Sequence, residues 1–151
     1  MSQNLNNGKV YNLFMYNINI LKKKNTQLNF IEKREASKEF FKKNKKKYDL
    51  ILIDGDHSFK NIMYDIRNSI KFCKDKGYIF GDDYEIEASK LSLKKLRKFC
   101  NSDLEYCSKN KKEYHPGITL AVKLQFSNLK SKNGIFGVQK VNNKFNDLYV
   151  R

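Results

Sequence analysis

The stretch Tyr48-Asp-Leu-Ile-Leu-Ile-Asp54 decides the fold class of this chain. Its four consecutive apolar residues stand between acidic residues, which predicts a strand that is covered on both faces. Strands of that kind belong to parallel sheets. The segments that follow this strand therefore indicate how the sheet is built.

A helix and a second strand are predicted directly after it. Apolar side chains recur at helical spacing from Phe59 to Cys73, with Ser58 as the N-cap and Gly77 as a C-terminal stop. The next strand is Tyr78-Ile-Phe80. A strand, a helix and a strand in this order form a βαβ unit with parallel strands. The predicted fold class is therefore α/β with a Rossmann-like sheet.

Further elements are predicted on both sides of this unit. Helices are expected over residues 9–24, 36–46 and 86–100 and from His115 onward, and a short strand is expected over residues 28–32. Residues 101–114 are polar and are expected to be an irregular insertion near the site. An antiparallel strand pair between Ser127 and Val141, turning at Asn133-Gly134, would close the sheet.

The composition favours a single domain in the cytoplasm. A chain of 151 residues is enough for one ordinary domain over 1–151 and too short for two. No apolar run approaches the roughly 20 residues that span a bilayer, and the first residues lack the pattern of a secretory signal, so we expect no membrane partner. Cys73, Cys100 and Cys107 have no C-x-x-C spacing, which argues against a disulfide framework or a zinc site.

The net charge of +15 leaves a second class of function open, a non-enzymatic basic module that binds nucleic acid. The lysines fall in runs at Lys22–Lys24, Lys42–Lys47 and Lys109–Lys112, near predicted helix ends or loops. A solvated surface is the ordinary role of lysines in such places. Nucleic-acid binding that falls steeply with rising salt would support the basic module.

Acidic residues follow both central strands. Asp54 and Asp56 come after the first strand, and Asp82 and Asp83 come after the second. Because parallel strands end at the same edge of a sheet, these carboxylates are expected to converge where open α/β sheets bind ligands. Close carboxylates favour a divalent cation such as Mg²⁺, Ca²⁺ or Mn²⁺. The alternative is structural, with the four acids acting as a helix cap, a surface ion pair and a turn.

The chain has two histidines. His57 lies beside the acids, and an ordinary pKa near 6.5 suits a general base at neutral pH. The alternative for His57 is a loop histidine that hydrogen-bonds a neighbouring Asp. His115, before Pro116-Gly117, could reach the same crevice from the start of a helix or could be part of the turn that starts that helix, and the turn is the preferred interpretation. With so few histidines a site built on several imidazoles is not expected, and any metal is expected to rest on carboxylates.

Three segments follow one another in a familiar order and spacing: Tyr48-Asp-Leu-Ile-Leu-Ile-Asp-Gly-Asp-His-Ser-Phe59, Gly77-Tyr-Ile-Phe-Gly-Asp-Asp-Tyr84 and His115-Pro-Gly-Ile-Thr-Leu-Ala-Val122. They resemble successive motifs of the class I S-adenosylmethionine-dependent methyltransferases that carry an Ile-Asp-Gly-Asp-His-Ser segment. The likeness covers residues 10–141. It implies a Rossmann-like class I methyltransferase fold, with a mostly parallel sheet and an antiparallel carboxy-terminal strand pair.

The resemblance also implies roles for the acids. In the related macrolide-sugar and aminocoumarin-sugar O-methyltransferases, corresponding acids bind a divalent metal, which implies Asp54, Asp82 and Asp83 as ligands, with Mg²⁺ the expected ion. Asp56 is implied as the general base, with His57 beside it as the second catalytic candidate. His57 and Ser58 stand where those enzymes have Leu-Tyr. The implied acceptor is a hydroxyl on a small molecule or sugar.

The cofactor-binding strands of that family have no counterpart in this sequence. The only glycine before Gly55 is Gly8, and no Asp or Glu precedes Glu32, so neither the glycine-rich loop nor the acid that binds the ribose can be assigned. We therefore expect an amino-terminally truncated form of the fold that binds S-adenosylmethionine weakly or not at all. A homo-oligomer or a complementing chain is the expected partner.

Overall fold

The structure is a computed structural model that describes residues 8–27 and 29–149. The chain divides into two compact units, Met1–Glu35 and Ala36–Arg151, and each is described by itself. The expectation of one domain over 1–151 stays a prediction. None of the described helices combines the length and the apolar character that crossing a membrane requires.

The first unit contains one helix, α1 (Lys9–Lys24), among its described residues, as predicted. The strand expected over residues 28–32 is wrong for residues 29–32, and Leu28 lies outside the described residues. The side chains of this segment contact α1, and its described backbone forms no strand. The Phe14 and Phe30 ring centroids are 5.7 Å apart, and the Tyr11 hydroxyl donates to Glu32 Oε2 at 2.7 Å.

The second unit alternates strands and helices. Its elements are α2 (Ser37–Lys43), β1 (Tyr48–Ile53), α3 (Phe59–Phe72), β2 (Cys73–Gly81), a 3₁₀ turn (Ala88–Lys90), α4 (Leu93–Phe99), β3 (Glu105–Cys107), β4 (Lys112–Tyr114), α5 (Pro116–Phe126), β5 (Phe136–Val141) and β6 (Lys144–Asp147). The predicted βαβ unit is therefore present as β1, α3 and β2. Residues 86–100 form two short helices rather than one, because the Ser92 hydroxyl caps a new helix by accepting from Lys95 N at 3.2 Å.

The sheet of this unit has the order β1-β2-β5-β6. β1 and β2 are parallel, as predicted, whereas β2–β5 and β5–β6 are antiparallel. The α/β class is confirmed and the carboxy-terminal part does contain an antiparallel strand pair, although at other residues than expected, while parallel pairing in the described sheet is confined to β1 and β2. β3 and β4 form a separate antiparallel pair, so the stretch expected to be irregular contains a hairpin that buries Cys107 and Tyr114.

The carboxy-terminal strand pair forms later in the chain than the sequence predicts. Asn133 and Gly134 do turn, with φ values of 55° and 82°, but they close only an isolated bridge between Lys132 and Ile135. The strand pair turns instead at Asn142-Asn143, whose φ values of 50° and 62° suit the tight turn of a two-residue hairpin. The expected pair over 127–141 is therefore wrong, and the pair spans β5 and β6.

The two faces of the sheet differ in this unit. Ile51, Ile53 and Ile79 pack with α3 and α5 into the main core. Leu50 and Leu52 point to the other face and are 59% and 61% exposed. The prediction that β1 is covered on both faces is therefore wrong within this unit, because its apolar run consists of two alternating stripes and only the isoleucine stripe is covered.

Candidate functional site

The carboxyl ends of β1 and β2 meet at one edge of the sheet, as predicted. The parallel register pairs Ile53 with Gly81, and Asp82 N donates to Ile53 O at 3.1 Å. The loop that follows β1 and the loop that follows β2 therefore start side by side. Asp54 and Asp56 lie in the first loop and Asp82 and Asp83 in the second.

Asp83 is held in an uncommon backbone conformation. Its φ is 59°, in the left-handed region that Asp tolerates better than most residues, and its N–H donates to Asp82 Oδ1 at 2.8 Å. The next residue is anchored as well, because Tyr84 N donates to Gly134 O at 2.7 Å. The buried Tyr84 hydroxyl accepts from Ala88 N at 2.8 Å, and burial raises the pKa of Tyr84 to about 12. Asp83 is therefore flanked by fixed residues.

His57 lies between two carboxylates. Its Nε2 is 3.0 Å from Asp83 Oδ2, and its Nδ1 is 2.8 Å from Asp103 Oδ1. Burial alone would lower the pKa of His57, but the hydrogen bond to Asp103 and the charges of Asp83, Asp103 and Asp56 outweigh it and raise the pKa above 6.5. With both ring nitrogens facing carboxylates, the favoured form of His57 in this arrangement is the protonated imidazolium.

His115 joins the same site from α5. As predicted, it lies at the start of that helix, where it is the N-cap residue. Its ring centroid is also 4.2 Å from that of His57, and its Nδ1 is 2.7 Å from Glu85 Oε1. His115 N donates to Glu85 Oε2 at 3.2 Å, so Glu85 holds both the ring and the backbone of His115. His115 is therefore part of the turn that starts α5 and also contacts the His57 ring.

The approach of α5 to the His57 loop depends on Gly117. A Cβ atom at Gly117 would lie 2.2 Å from His57 O, 2.7 Å from Phe59 N and 2.8 Å from Cys100 O. All three are backbone atoms, which cannot rotate away as a side chain does. The absence of a side chain at Gly117 therefore allows the two histidines to meet.

One group of three side chains in the described residues has the spacing to hold a metal ion. It consists of His57, Asp83 and His115, with one potential ligand atom from each within 4.8 Å of the others. Asp83 is thus the predicted metal ligand that belongs to this group. Asp54 and Asp82 are not part of it, and Asp82 Oδ1 instead accepts from Asp83 N.

Asp56 serves the local backbone. Its Oδ1 accepts from Ser58 N at 2.7 Å, which orders the turn before α3. Hydrogen bonds from the Ser58 side chain and backbone lower the pKa of the Asp56 carboxyl, with smaller contributions from Asn61 and His57. A lower pKa makes a carboxylate a weaker proton acceptor.

Sequence reasoning missed two members of the site, Glu85 and Asp103. Glu85 is two residues from Asp83, so its place in the acidic segment after β2 could have indicated that it lies near the site. Asp103 lies in the polar stretch before β3, where nothing in the local pattern separates it from the other acids of the surface. The expectation that this stretch lies near the site agrees with the contact between Asp103 and His57.

Residues 14–84 match a family model described as a methyltransferase domain. The matched stretch covers just under half of the chain and contains His57 and Asp83 but not His115. No curated protein and no solved structure matches the chain significantly. The match supports a methyltransferase domain in this part of the chain.

Proposed function

We propose that this chain is a methyltransferase-like protein that uses S-adenosylmethionine to methylate a hydroxyl group on a small molecule or sugar. The observation that carries the proposal is the family match over residues 14–84, which ends at the loop that holds Asp83. The parallel pairing of β1 and β2 supports it, because it brings the loops with His57 and Asp83 to the edge where open α/β sheets bind ligands.

The reaction needs a group that takes up one proton. The acceptor oxygen forms a bond to the methyl carbon, the bond from that carbon to the sulfonium sulfur breaks, and the hydroxyl proton passes to a base. S-adenosylmethionine supplies the electrophilic methyl group. The side chains of this site supply the base and hold the acceptor oxygen in line.

His57 becomes a better candidate for the base than Asp56 once it has released its Nε2 proton, because its raised pKa makes the neutral ring a strong proton acceptor. The carboxylates of Asp83 and Asp103 orient the His57 ring and stabilise the imidazolium that forms when it takes a proton. Asp56 is engaged by Ser58 and has a lowered pKa. Both residues stay candidates for the base, and we expect substitution of His57 to lower the transfer rate more than substitution of Asp56.

The set Asp54, Asp82 and Asp83 does not fit a Mg²⁺ site in this arrangement. Only Asp83 lies in the group of three close ligand-type side chains found in the described residues, and the other members of that group are histidines. Mg²⁺ prefers an octahedral set of oxygen ligands. We therefore derive no catalytic step through Mg²⁺.

The first test is a methyl-transfer assay with S-adenosylmethionine at millimolar concentration and a panel of hydroxyl-bearing small molecules and sugars. Because the sequence has no glycine-rich loop after a strand, we expect calorimetry to give a dissociation constant weaker than about 100 µM. A dissociation constant in the low micromolar range would contradict the expected weak binding. Neither binding nor transfer at millimolar cofactor would contradict the proposed function itself.

The second test separates the two candidate bases. His57→Gln should lower the transfer rate by about 10²- to 10⁴-fold, the usual effect of losing a general base. Asp56→Asn is the matched control, because its Oδ1 still accepts from Ser58 N, and it should lower the rate by less than about tenfold. A larger loss in Asp56→Asn than in His57→Gln would transfer the role to Asp56.

A further inference from the structure

The group formed by His57, Asp83 and His115 has the ligand chemistry of a transition-metal site. Two imidazoles and one carboxylate come together from the loop after β1, the loop after β2 and the start of α5. Imidazole suits Zn²⁺, Fe²⁺ and their neighbours, whereas Mg²⁺ and Ca²⁺ prefer oxygen. A set of two histidines and one carboxylate with open positions is a known arrangement for such ions.

Each histidine has a second carboxylate on its other ring nitrogen. Asp103 Oδ1 is 2.8 Å from Nδ1 of His57, and Glu85 Oε1 is 2.7 Å from Nδ1 of His115. An ionised carboxylate only accepts hydrogen bonds, so these contacts place a proton on Nδ1 and leave Nε2 as the metal-binding nitrogen. Metal-bound histidines are usually oriented in this way by an outer carboxylate.

The burial of the group also suits an ion. The side chains of His57, Asp83 and His115 are 29%, 31% and 12% exposed. The three ligands are thus partly shielded from water, and each keeps some contact with solvent. An ion held here would have three protein ligands and further positions for water or a substrate oxygen.

We propose that His57 Nε2, Asp83 and His115 Nε2 bind one divalent first-row transition ion, and that Zn²⁺ is the first ion to test. The ion replaces the proton between His57 Nε2 and Asp83 Oδ2, which are 3.0 Å apart without it. It also occupies the lone pair that His57 would use as a base. The metal-loaded protein and the protein with His57 as a base are therefore different chemical states.

This metal site does not depend on methyl transfer, so the two proposals can fail separately. If the chain binds zinc but transfers no methyl group, the metal site is supported and the proposed function is contradicted. If the chain transfers methyl groups but binds no zinc, only the metal site is contradicted.

The experiment is equilibrium dialysis of the full chain, stripped of metal by a chelator, against Zn²⁺, with the bound ion measured by elemental analysis. We expect about one ion per chain with a micromolar or tighter dissociation constant, a range typical of specific sites. Millimolar Mg²⁺ should not displace the ion. Co²⁺ should give visible absorption bands that report imidazole ligands.

Variants of neighbouring acids locate the ion. Asp83→Asn should weaken Zn²⁺ binding at least tenfold, whereas Asp82→Asn, its matched neighbour outside the group, should leave it unchanged. Glu85→Gln leaves the three ligands in place and should weaken binding by about 10- to 100-fold through the orientation of His115. Circular dichroism of each variant checks the fold.

Two results would overturn the proposal. One is less than a tenth of an equivalent of zinc bound by the unmodified chain at saturating ion. The other is equal zinc affinity in Asp83→Asn and in the unmodified chain, which would place the ion elsewhere, for example on a cysteine. Tight Mg²⁺ binding that is lost in Asp82→Asn would instead support a site of oxygen ligands.

Discussion

Asp65 carries a buried oxygen without a hydrogen-bond partner. It lies on α3, its Oδ1 is unsatisfied, and its Oδ2 would lie 3.7 Å from a Cβ at Gly55 in the loop after β1. Burial raises the pKa of Asp65 above its ordinary value of 3.8, against an opposing hydrogen bond from Ser37. The ionised carboxylate is therefore the form that the folded chain tolerates less well.

Asp65→Asn should stabilise the fold at neutral pH and have little effect in acid. Because the pKa is raised in the folded state, the stabilising contribution of the protonated carboxyl is complete below pH 3.8 and is lost as the pH rises through the folded pKa. Removing the charge should raise the free energy of unfolding at pH 7 by about 1 kcal/mol, the low end for an unsatisfied buried group. Urea unfolding at pH 3 and pH 7 measures this.

The control for Asp65 is Asp49→Asn, which removes the charge of an exposed aspartate paired with Lys74 on the surface. Surface pairs of this kind contribute little, so the change at pH 7 should stay within about 0.5 kcal/mol. A loss of stability in Asp65→Asn at pH 7 would show that the hydrogen bond from Ser37 outweighs the cost of burying the charge, and it would contradict the assignment.

At the level of elements, the contact between the start of α5 and the His57 loop holds the site together. Gly117→Ala gains up to about 1 kcal/mol in helix propensity. It also forces a Cβ against three backbone atoms, and overpacking of this kind costs about 1 to 3 kcal/mol. We expect net destabilisation, a lower melting temperature and weaker Zn²⁺ binding, because the two histidines would be pushed apart.

Gly55→Ala is the matched control for Gly117→Ala. Its Cβ would meet only Asp65 Oδ2, at 3.7 Å, which is ordinary van der Waals contact. Its melting temperature in a thermal scan should therefore stay within about 2 °C of that of the unmodified chain. In a domain of this size, such a shift corresponds to a change of less than about 1 kcal/mol in the free energy of unfolding. An unchanged melting temperature in Gly117→Ala would mean that the loop adjusts freely.

The predicted elements were those that local patterns determine. Helical spacing and the N-cap Ser58 were sufficient for the start of α3, and a run of apolar residues was sufficient for β1. The expected helix stop at Gly77 is wrong, because α3 ends at Phe72 and Gly77 lies within β2. The juxtaposition of His57 and Asp83 followed from parallel strands alone. These parts of the molecule depend on neighbours in sequence or on one general rule of topology.

The parts that sequence did not predict depend on packing between distant segments. His115 reaches His57 because Gly117 lets α5 approach, and Asp103, which follows the end of α4, contacts the same ring. The hairpin was misplaced for a related reason. Asn133-Gly134 is the stronger turn signal, but the preceding Leu129 is buried in the core and its carbonyl accepts from Tyr84 Oη at 3.3 Å, so no strand precedes that turn.

For the molecule as a whole, its net charge of +15 sets how it behaves toward polyanions. The lysine runs lie mostly on exposed positions, in agreement with their interpretation as solvated surface. Binding to single-stranded RNA should therefore be weak at 0.15 M salt and insensitive to sequence, because phosphate contacts alone are strongly screened. Fluorescence anisotropy at several salt concentrations would measure it, and tight binding that falls steeply with rising salt would favour the basic module.

The exposed face of the sheet has a practical consequence for colloidal stability. Leu50 and Leu52 pair in register with Tyr78 and Phe80, and β1 is the end strand of the described sheet. A long apolar end strand is a template for association, and mutual repulsion between like-charged molecules opposes it. Raising the salt from about 0.1 M to 1 M shortens the Debye length from about 10 Å to 3 Å, so light scattering should increase.

Leu52→Lys should suppress that increase, whereas Leu124→Lys, a substitution of an exposed leucine on α5, should not. Solutions of this protein would then stay clear because of the lysines rather than because of a closed apolar surface. In low-salt buffers, where contacts between lysines and phosphates are strong, residual RNA from cell extracts would neutralise those lysines and precipitate the protein, and such precipitates would imitate a specific ribonucleoprotein complex.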